Sequence, residues 1–200
     1  SSAASDVYKR QVPIYENAKF HIHTPEMRSF ARSWIPMYND DLTNFRHLLA
    51  EAKNGVAAGI EVGRAGVFIR SVAPIFEDKK MLGSIEVLLD FKHLSDFFAQ
   101  QGLSLFVLLD ASADSPYQNS SDEGIIDGFH FINKSYANLN VLPMLKDIKF
   151  KSGGFYQTDS HAFTVQPMND AKGERVGYFV IYFNSDSKER NLAKLGVWFD

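Results

Sequence analysis

The strongest constraint on what this 200-residue chain can fold into is a pattern that occurs twice. The stretch RSVAPIFEDKKMLGSIEVLLDF, starting at Arg70, is echoed by FTVQPMNDAKGERVGYFVIYFN, starting at Phe163. Each runs along a strand to a proline (Pro74, Pro167), a charged turn, a glycine (Gly83, Gly177) and a second apolar strand. The gap from proline to glycine is nine positions in one copy and ten in the other. A helix-forming stretch follows each copy, LSDFFAQ and SKERNLAK. A repeated order of strands and turns implies a repeated architecture. The expectation is an α+β chain of two tandem lobes, each an antiparallel sheet with flanking helices.

The remaining segments supply the other elements. AKFHIHT alternates Phe20, Ile22 and Thr24 against His21 and His23, a period-two strand signal. RSFARSWIP predicts a second strand that stops at Pro36. DDLTNFRHLLAEAKNG predicts a helix capped by Asp40 or Asp41, with Leu42, Phe45, Leu48, Leu49 and Ala52 at helical spacing. Asn54-Gly55 ends it. VAAGIEVG, GVFIRSVAPIF and MLGSIEVLLD predict three strands, with EDKK as a tight connection. FKHLSDFFAQQG predicts a short amphipathic helix closed by Gly102. LSLFVLLD opens the second half as a buried strand. After the polar loop ASADSPYQNSSDEG come the strand-like GGFYQTD, HAFTVQPM and RVGYFVIYF, then a helix start at SDSKERNLAKLG.

Composition narrows the function classes. An apolar share of 45% and a charged share of 22% are ordinary for a globular chain. A net charge of −3 with scattered lysines gives no footprint for nucleic acid. No run approaches the roughly 20 apolar residues of a membrane span. The chain has no cysteine, which excludes disulfides and thiolate metal sites.

Arginines crowd the region from Phe30 to Pro74: Arg32, Arg46, Arg64 and Arg70. The planar guanidinium fork suits a carboxylate, so converging arginines make a small-anion pocket. The alternative is that they pair with Asp40, Asp41 and Glu61, or face water. Arg70 shares its strand face with the apolar Phe68 and Val72, which points to a buried role. GIEVGRAG is not a phosphate loop: no Lys-Ser or Lys-Thr pair follows it, and its glycines fit a strand-to-strand bend. His21 and His23 share one strand face as two metal ligands can, but local spacing places no third ligand, so no metal or other cofactor is expected. No nucleophile elbow or acid–base pair stands out. The residues read as a binding module and not as an enzyme.

The order HTPEMRSFARSW, NDDLTNFRH, GIEVGRAGVFIRSVAPIF, LGSIEVLLDF resembles the double-Cache (tandem PAS-like) extracytoplasmic sensor domains of bacterial receptors. The residues that carry it are Phe30, Arg32, Trp34, Asp40, Asp41, Leu42, Phe45, Arg46, His47, Gly59, Glu61, Gly63, Arg64, Gly66, Arg70 and Pro74. It is specific over Phe20 to Phe98 and architectural beyond. Two departures stand out: Asn39 replaces the family's usual glycine, and the long N-terminal stalk helix is missing. The resemblance implies a first, membrane-distal lobe over 12–101, a second, membrane-proximal lobe over 102–186, and a C-terminal helix over 187–200 leading toward a transmembrane segment. It implies the periplasmic part of an inner-membrane receptor, anchored by segments absent from this chain and homodimeric when intact.

Among outputs, a methyl-accepting chemotaxis protein is the first expectation, with a histidine kinase or a diguanylate cyclase as alternatives. The implied ligand is a small organic acid or an amino acid. Arg32, Arg46, Arg64 and Arg70 would hold its anionic group, and Trp34 and Phe68 would wall it. Asp40 and Glu61 would orient the arginines or meet an amine. Two other classes remain: a carboxylate enzyme using Asp40, Asp41 and Glu61, and a ligand-free dimerisation spacer.

The first eleven residues, SSAASDVYKRQ, lack both apolar periodicity and a signal-peptide pattern. They resemble, residue for residue, the translated transposase adapter of a sequencing library. Residues 1–11 are therefore read as non-native and set apart from the fold.

Overall fold

The computed structural model describes residues 17–43, 47–63, 66–111, 125–126, 128–146, 148, 153–157 and 160–184. The adapter-like segment, the C-terminal helix expected over 187–200, and Phe45, Arg46 and Arg64 lie outside them.

The first sheet is built from β1 (Lys19–His23), β2 (Ser29–Arg32), β3 (Ala57–Gly63), β4 (Gly66–Glu77) and β5 (Lys80–Leu89), with helix α1 (His47–Glu51) between β2 and β3. Its strand order is β2-β1-β5-β4-β3, antiparallel throughout. Helix α2 (Lys92–Gln100) precedes the second sheet, which comprises β6 (Ser104–Asp110), β7 (Ile125–Ile126), β8 (Phe129–Phe131), β9 (Gly154–Gln157), β10 (His161–Asn169) and β11 (Arg175–Asn184). A single-turn helix, α3 (Leu142–Leu145), lies between β8 and β9. The order here is β7-β8-β6-β11-β10-β9. With β8 in the place of β2, and β7 an added edge strand paired antiparallel to it, both sheets follow the same order, 2-1-5-4-3. The sequence repeat is a repeat of topology, and the α+β tandem-lobe architecture follows from it.

The chain divides into two compact units. One holds residues up to Asp90 together with Asn169–Glu174; the other holds Phe91–Met168 and the chain from Arg175. The sequence reading ended the first lobe at 101, after the helix now seen as α2. Ser95 of that helix instead accepts a hydrogen bond from the buried Asn133 Nδ2 at 2.9 Å, which ties α2 to the second unit.

The repeated glycines have one cause. A Cβ on Gly83 would stand 2.1 Å from the carbonyl oxygen of His23, and one on Gly177 would stand 2.0 Å from that of Leu108. In each sheet the fifth strand crosses the first at a separation only glycine permits. These contacts also align the two sheets residue by residue. His23 corresponds to Leu108 and His21 to Phe106, because Glu86 pairs with His21 as Val180 pairs with Phe106.

One local expectation changes. The second strand ends at Arg32 and not at Pro36, because Ser33 turns back on β1: its amide donates to the Phe20 carbonyl and its hydroxyl accepts from the Phe20 amide. Asp40 binds Arg32 through its carboxylate, while Asp41 Oδ1 accepts the Thr43 amide at 2.9 Å, the i to i+2 bond open to a capping aspartate; the expected start of the helix, over residues 44–46, lies outside the described residues. The described part of the helix is His47–Glu51, continued by a 3-10 turn over Ala52–Asn54. Leu42, Leu48, Leu49 and Ala52 are buried as their spacing predicts, against Ala57 and Val72.

Candidate functional site: a buried polar face on the first sheet

Strand alternation sends every second side chain of β1, β5 and β4 to one face of the first sheet. That face carries His21 and His23, Ser84 and Glu86, and Phe68, Arg70 and Val72. In the second sheet the matching β6 and β11 positions hold Phe106, Leu108, Tyr178 and Val180, all in one apolar core. The fold therefore closes with apolar residues at these positions, and the first unit has charged and imidazole groups there. Burying such groups without partners is costly, so their pairing is the informative part.

Glu86 is the hub. Its side chain is fully buried, and Oε1 accepts from Arg70 Nη1 at 2.7 Å. Oε2 lies 3.3 Å from His21 Nδ1 and 3.5 Å from His23 Nε2. The outward ring nitrogens meet hydroxyls: His21 Nε2 stands 2.8 Å from Ser29 Oγ, and His23 Nδ1 stands 3.0 Å from Ser84 Oγ. Burial opposes charge on Glu86, but the two histidines and the charge and hydrogen bond of Arg70 outweigh it and hold the carboxyl far below its usual range. Burial, assisted by His23 and Arg32 and opposed by Glu86, lowers His21 to about 4 and keeps its ring neutral at neutral pH.

Arg70 is the other buried charge. Its Nε lies 3.6 Å from Glu61 Oε2, and Glu61 Oε1 accepts the Leu48 amide at 3.1 Å. Neither Nε nor Nη2 of Arg70 has a hydrogen-bond partner among the described residues. Phe68 covers one side of the guanidinium, with Arg70 Cζ 5.7 Å from its ring centre. Lys19 Nζ sits over both Phe68, at 4.7 Å, and Trp34, at 5.8 Å. Trp34 in turn stands edge-on to His21 at 5.6 Å.

Arg32 is differently employed. Its Nη1 donates to Asp40 Oδ1 at 2.8 Å and to the Met37 carbonyl at 2.9 Å, and its Nη2 meets Asp40 Oδ2 at 2.5 Å. This fork closes the loop over residues 33–40 and leaves Arg32 pinned to the protein. The Arg32 hydrogen bonds, over a smaller opposing effect of burial, hold Asp40 below the usual carboxylate range. Of the eight expected site residues, Trp34, Glu61, Phe68 and Arg70 come together with the hub, while Arg32 and Asp40 form a brace beside it. Arg46 and Arg64 lie outside the described residues. The sequence reading missed Glu86 altogether. Its signal was an acid inside SIEVLL, on the same strand face as Ser84 and Leu88.

A cavity of about 550 Å3 lies in the second unit, lined mainly by Met144, Ile148, Phe155, Tyr156 and Phe163. His161 at its wall is held by the Tyr182 hydroxyl at 2.8 Å.

The family model dCache_3, the double sensory domain of two-component sensor kinases, matches residues 3–187. The match begins inside the adapter-like segment. Comparison with curated proteins returns no match. Among solved structures, the chain is similar to the ligand-binding domain of the Campylobacter jejuni chemoreceptor Tlp3 in complex with 4-methylisoleucine: 13% identity, TM-score 0.48, 100% of this chain and 74% of that one. It is similar to the sensor domain of the V. cholerae histidine kinase DctB at 11% identity and TM-score 0.45, over 94% of this chain and 81% of that one. It is also similar to the ligand-binding domain of the Pseudomonas aeruginosa amino acid chemoreceptor PctC in complex with GABA, at 11% identity and TM-score 0.42, over 91% and 81%.

Proposed function

The chain belongs to the dCache_3 family of double sensory domains, and from that premise we propose that it is the extracytoplasmic sensor of a bacterial membrane receptor whose first unit binds a small carboxylate or amino acid. The observation that carries this reading is Arg70. A guanidinium with no exposed side-chain surface and two nitrogens lacking hydrogen-bond partners among the described residues is an incomplete site, since buried donors are nearly always satisfied. A carboxylate is the group whose two oxygens match that fork. Glu86 and Glu61 hold the guanidinium in place, and Phe68 and Trp34 supply apolar walls. Lys19, poised over both rings, is a second cation for the same anion. Arg32 and Asp40 act as the brace of the loop and not as ligand contacts.

For the output, both the chemotaxis receptor and the sensor kinase stay in this reading, the latter in keeping with the wording of the family's description. The receptor is membrane-anchored and dimeric in this reading.

Calorimetry with a panel of small carboxylates and amino acids tests the site. One member binds the chain at one equivalent, and Arg70→Gln weakens it about 10-fold to 150-fold, the range for losing hydrogen bonds to a charged group. Arg32→Gln leaves the affinity within a few-fold. Equal loss in both variants, or none in Arg70→Gln, removes Arg70 from the site.

A further inference from the structure

We propose that His21, His23 and Glu86 bind one divalent transition-metal ion of the zinc type. Local sequence offered only two ligands, and pairing of β1 with β5 brings in the third. One donor atom from each residue lies within 4.8 Å of the others, and all three residues are buried. A tetrahedral zinc with bonds of about 2.0–2.1 Å requires donor–donor edges of about 3.3–3.4 Å. The edges from Glu86 Oε2 are 3.3 Å to His21 Nδ1 and 3.5 Å to His23 Nε2.

Three further observations support a cation at this point. His23 Nε2 is buried, faces the other two donors and has no hydrogen-bond partner among the described residues. The opposite nitrogen of each ring meets a serine hydroxyl, at 2.8 Å for His21 and 3.0 Å for His23. An acceptor on the outer nitrogen is what fixes the tautomer and orientation of a metal-binding imidazole. Arg70 occupies Oε1 of Glu86 and leaves Oε2 facing the histidines, so the carboxylate divides its two oxygens between guanidinium and metal. Two imidazoles with one carboxylate select zinc and its transition-metal neighbours over magnesium and calcium, which prefer oxygen alone. Three protein donors leave a tetrahedral ion one position for water or an anion.

The three donors come only from β1 and β5, and the test uses no organic ligand, so the assignment stands or falls separately from the carboxylate reading. The tag-free chain is stripped with chelator, loaded with zinc, gel-filtered and analysed by mass spectrometry for metal. Histidine side-chain NMR is recorded in parallel. The expected result is about one zinc per chain, with zinc-induced shifts at His21 and His23 and none at His47, His93, His130 or His161. Excess calcium and magnesium leave the spectrum unchanged. His23→Gln lowers zinc affinity at least about tenfold, and His47→Ala leaves it unaltered. Should His23→Gln fail to fold, the NMR of the unsubstituted chain decides alone. No retained zinc, or shifts confined to the other histidines, overturns the assignment.

Discussion

Several single residues have a physical reason that only their backbone setting reveals. Asn39, which stands where related sequences were expected to have glycine, adopts a φ of 68°. Asparagine tolerates this left-handed conformation better than other non-glycine residues, so the departure keeps the turn. Gly83 and Gly177 face a harder limit, because the atom a side chain would strike is a backbone carbonyl in each case. Alanine at either position forces two strands apart and lowers unfolding stability by about 1–3 kcal/mol or more. Denaturant titration of G83A and G177A checks this, and unchanged midpoints would mean that the strands shift freely. Asp40 gives a pH signature. Its folded pKa is depressed from 3.8, so its stabilising contribution is present above that value and is lost as pH falls through the lower folded one. In carboxyl-carbon NMR, Asp40 titrates below ordinary aspartates, and Arg32→Gln returns it toward them.

Strands, unlike single residues, can be compared between the two sheets. At matched positions β1 and β5 carry His21, His23 and Glu86, whereas β6 and β11 carry Phe106, Leu108 and Val180. Removing one member of the polar set strands the others: Glu86→Ala leaves Arg70 without its closest counter-charge and costs about 3–5 kcal/mol. Replacing the network together behaves in the opposite way. The combined change His21→Phe, His23→Leu, Glu86→Val and Arg70→Phe retains the fold, with stability equal to the native chain or about 1–4 kcal/mol higher, yet binds neither acid nor metal. Thermal denaturation of the two variants distinguishes a network kept for binding from one the fold needs. The strands themselves were legible from their alternation, and the buried setting of Arg70 from Phe68 and Val72 beside it. Glu86 was not, because its partners His21 and His23 are more than sixty positions away and meet it only through β1–β5 pairing. The pairing of Arg32 with Asp40 was one of the alternatives the sequence left open, and only the closure of the loop between them decides it.

For the whole molecule, the internal repeat was the decisive reading: order of strand, turn, glycine and strand in the sequence became one strand order realised twice. Less legible was where one unit yields to the next. The division after Asp90, with Asn169–Glu174 assigned to the first unit, depends on contacts between segments far apart in the chain. Among the described residues no helix is long and apolar enough to cross a membrane. The two units differ in what they bury. The second has a large apolar cluster and an apolar-lined cavity, and the first has a charged network with an unsatisfied guanidinium. The proposed function puts sensing in the first unit, and a crystal structure of the chain with its tightest carboxylate tests that proposal most directly. The account predicts the carboxylate on Arg70 Nε and Nη2 at about 2.7–2.9 Å, between Phe68 and Trp34. A ligand seated instead among Phe155, Tyr156 and Phe163, with Arg70 unchanged, would contradict it.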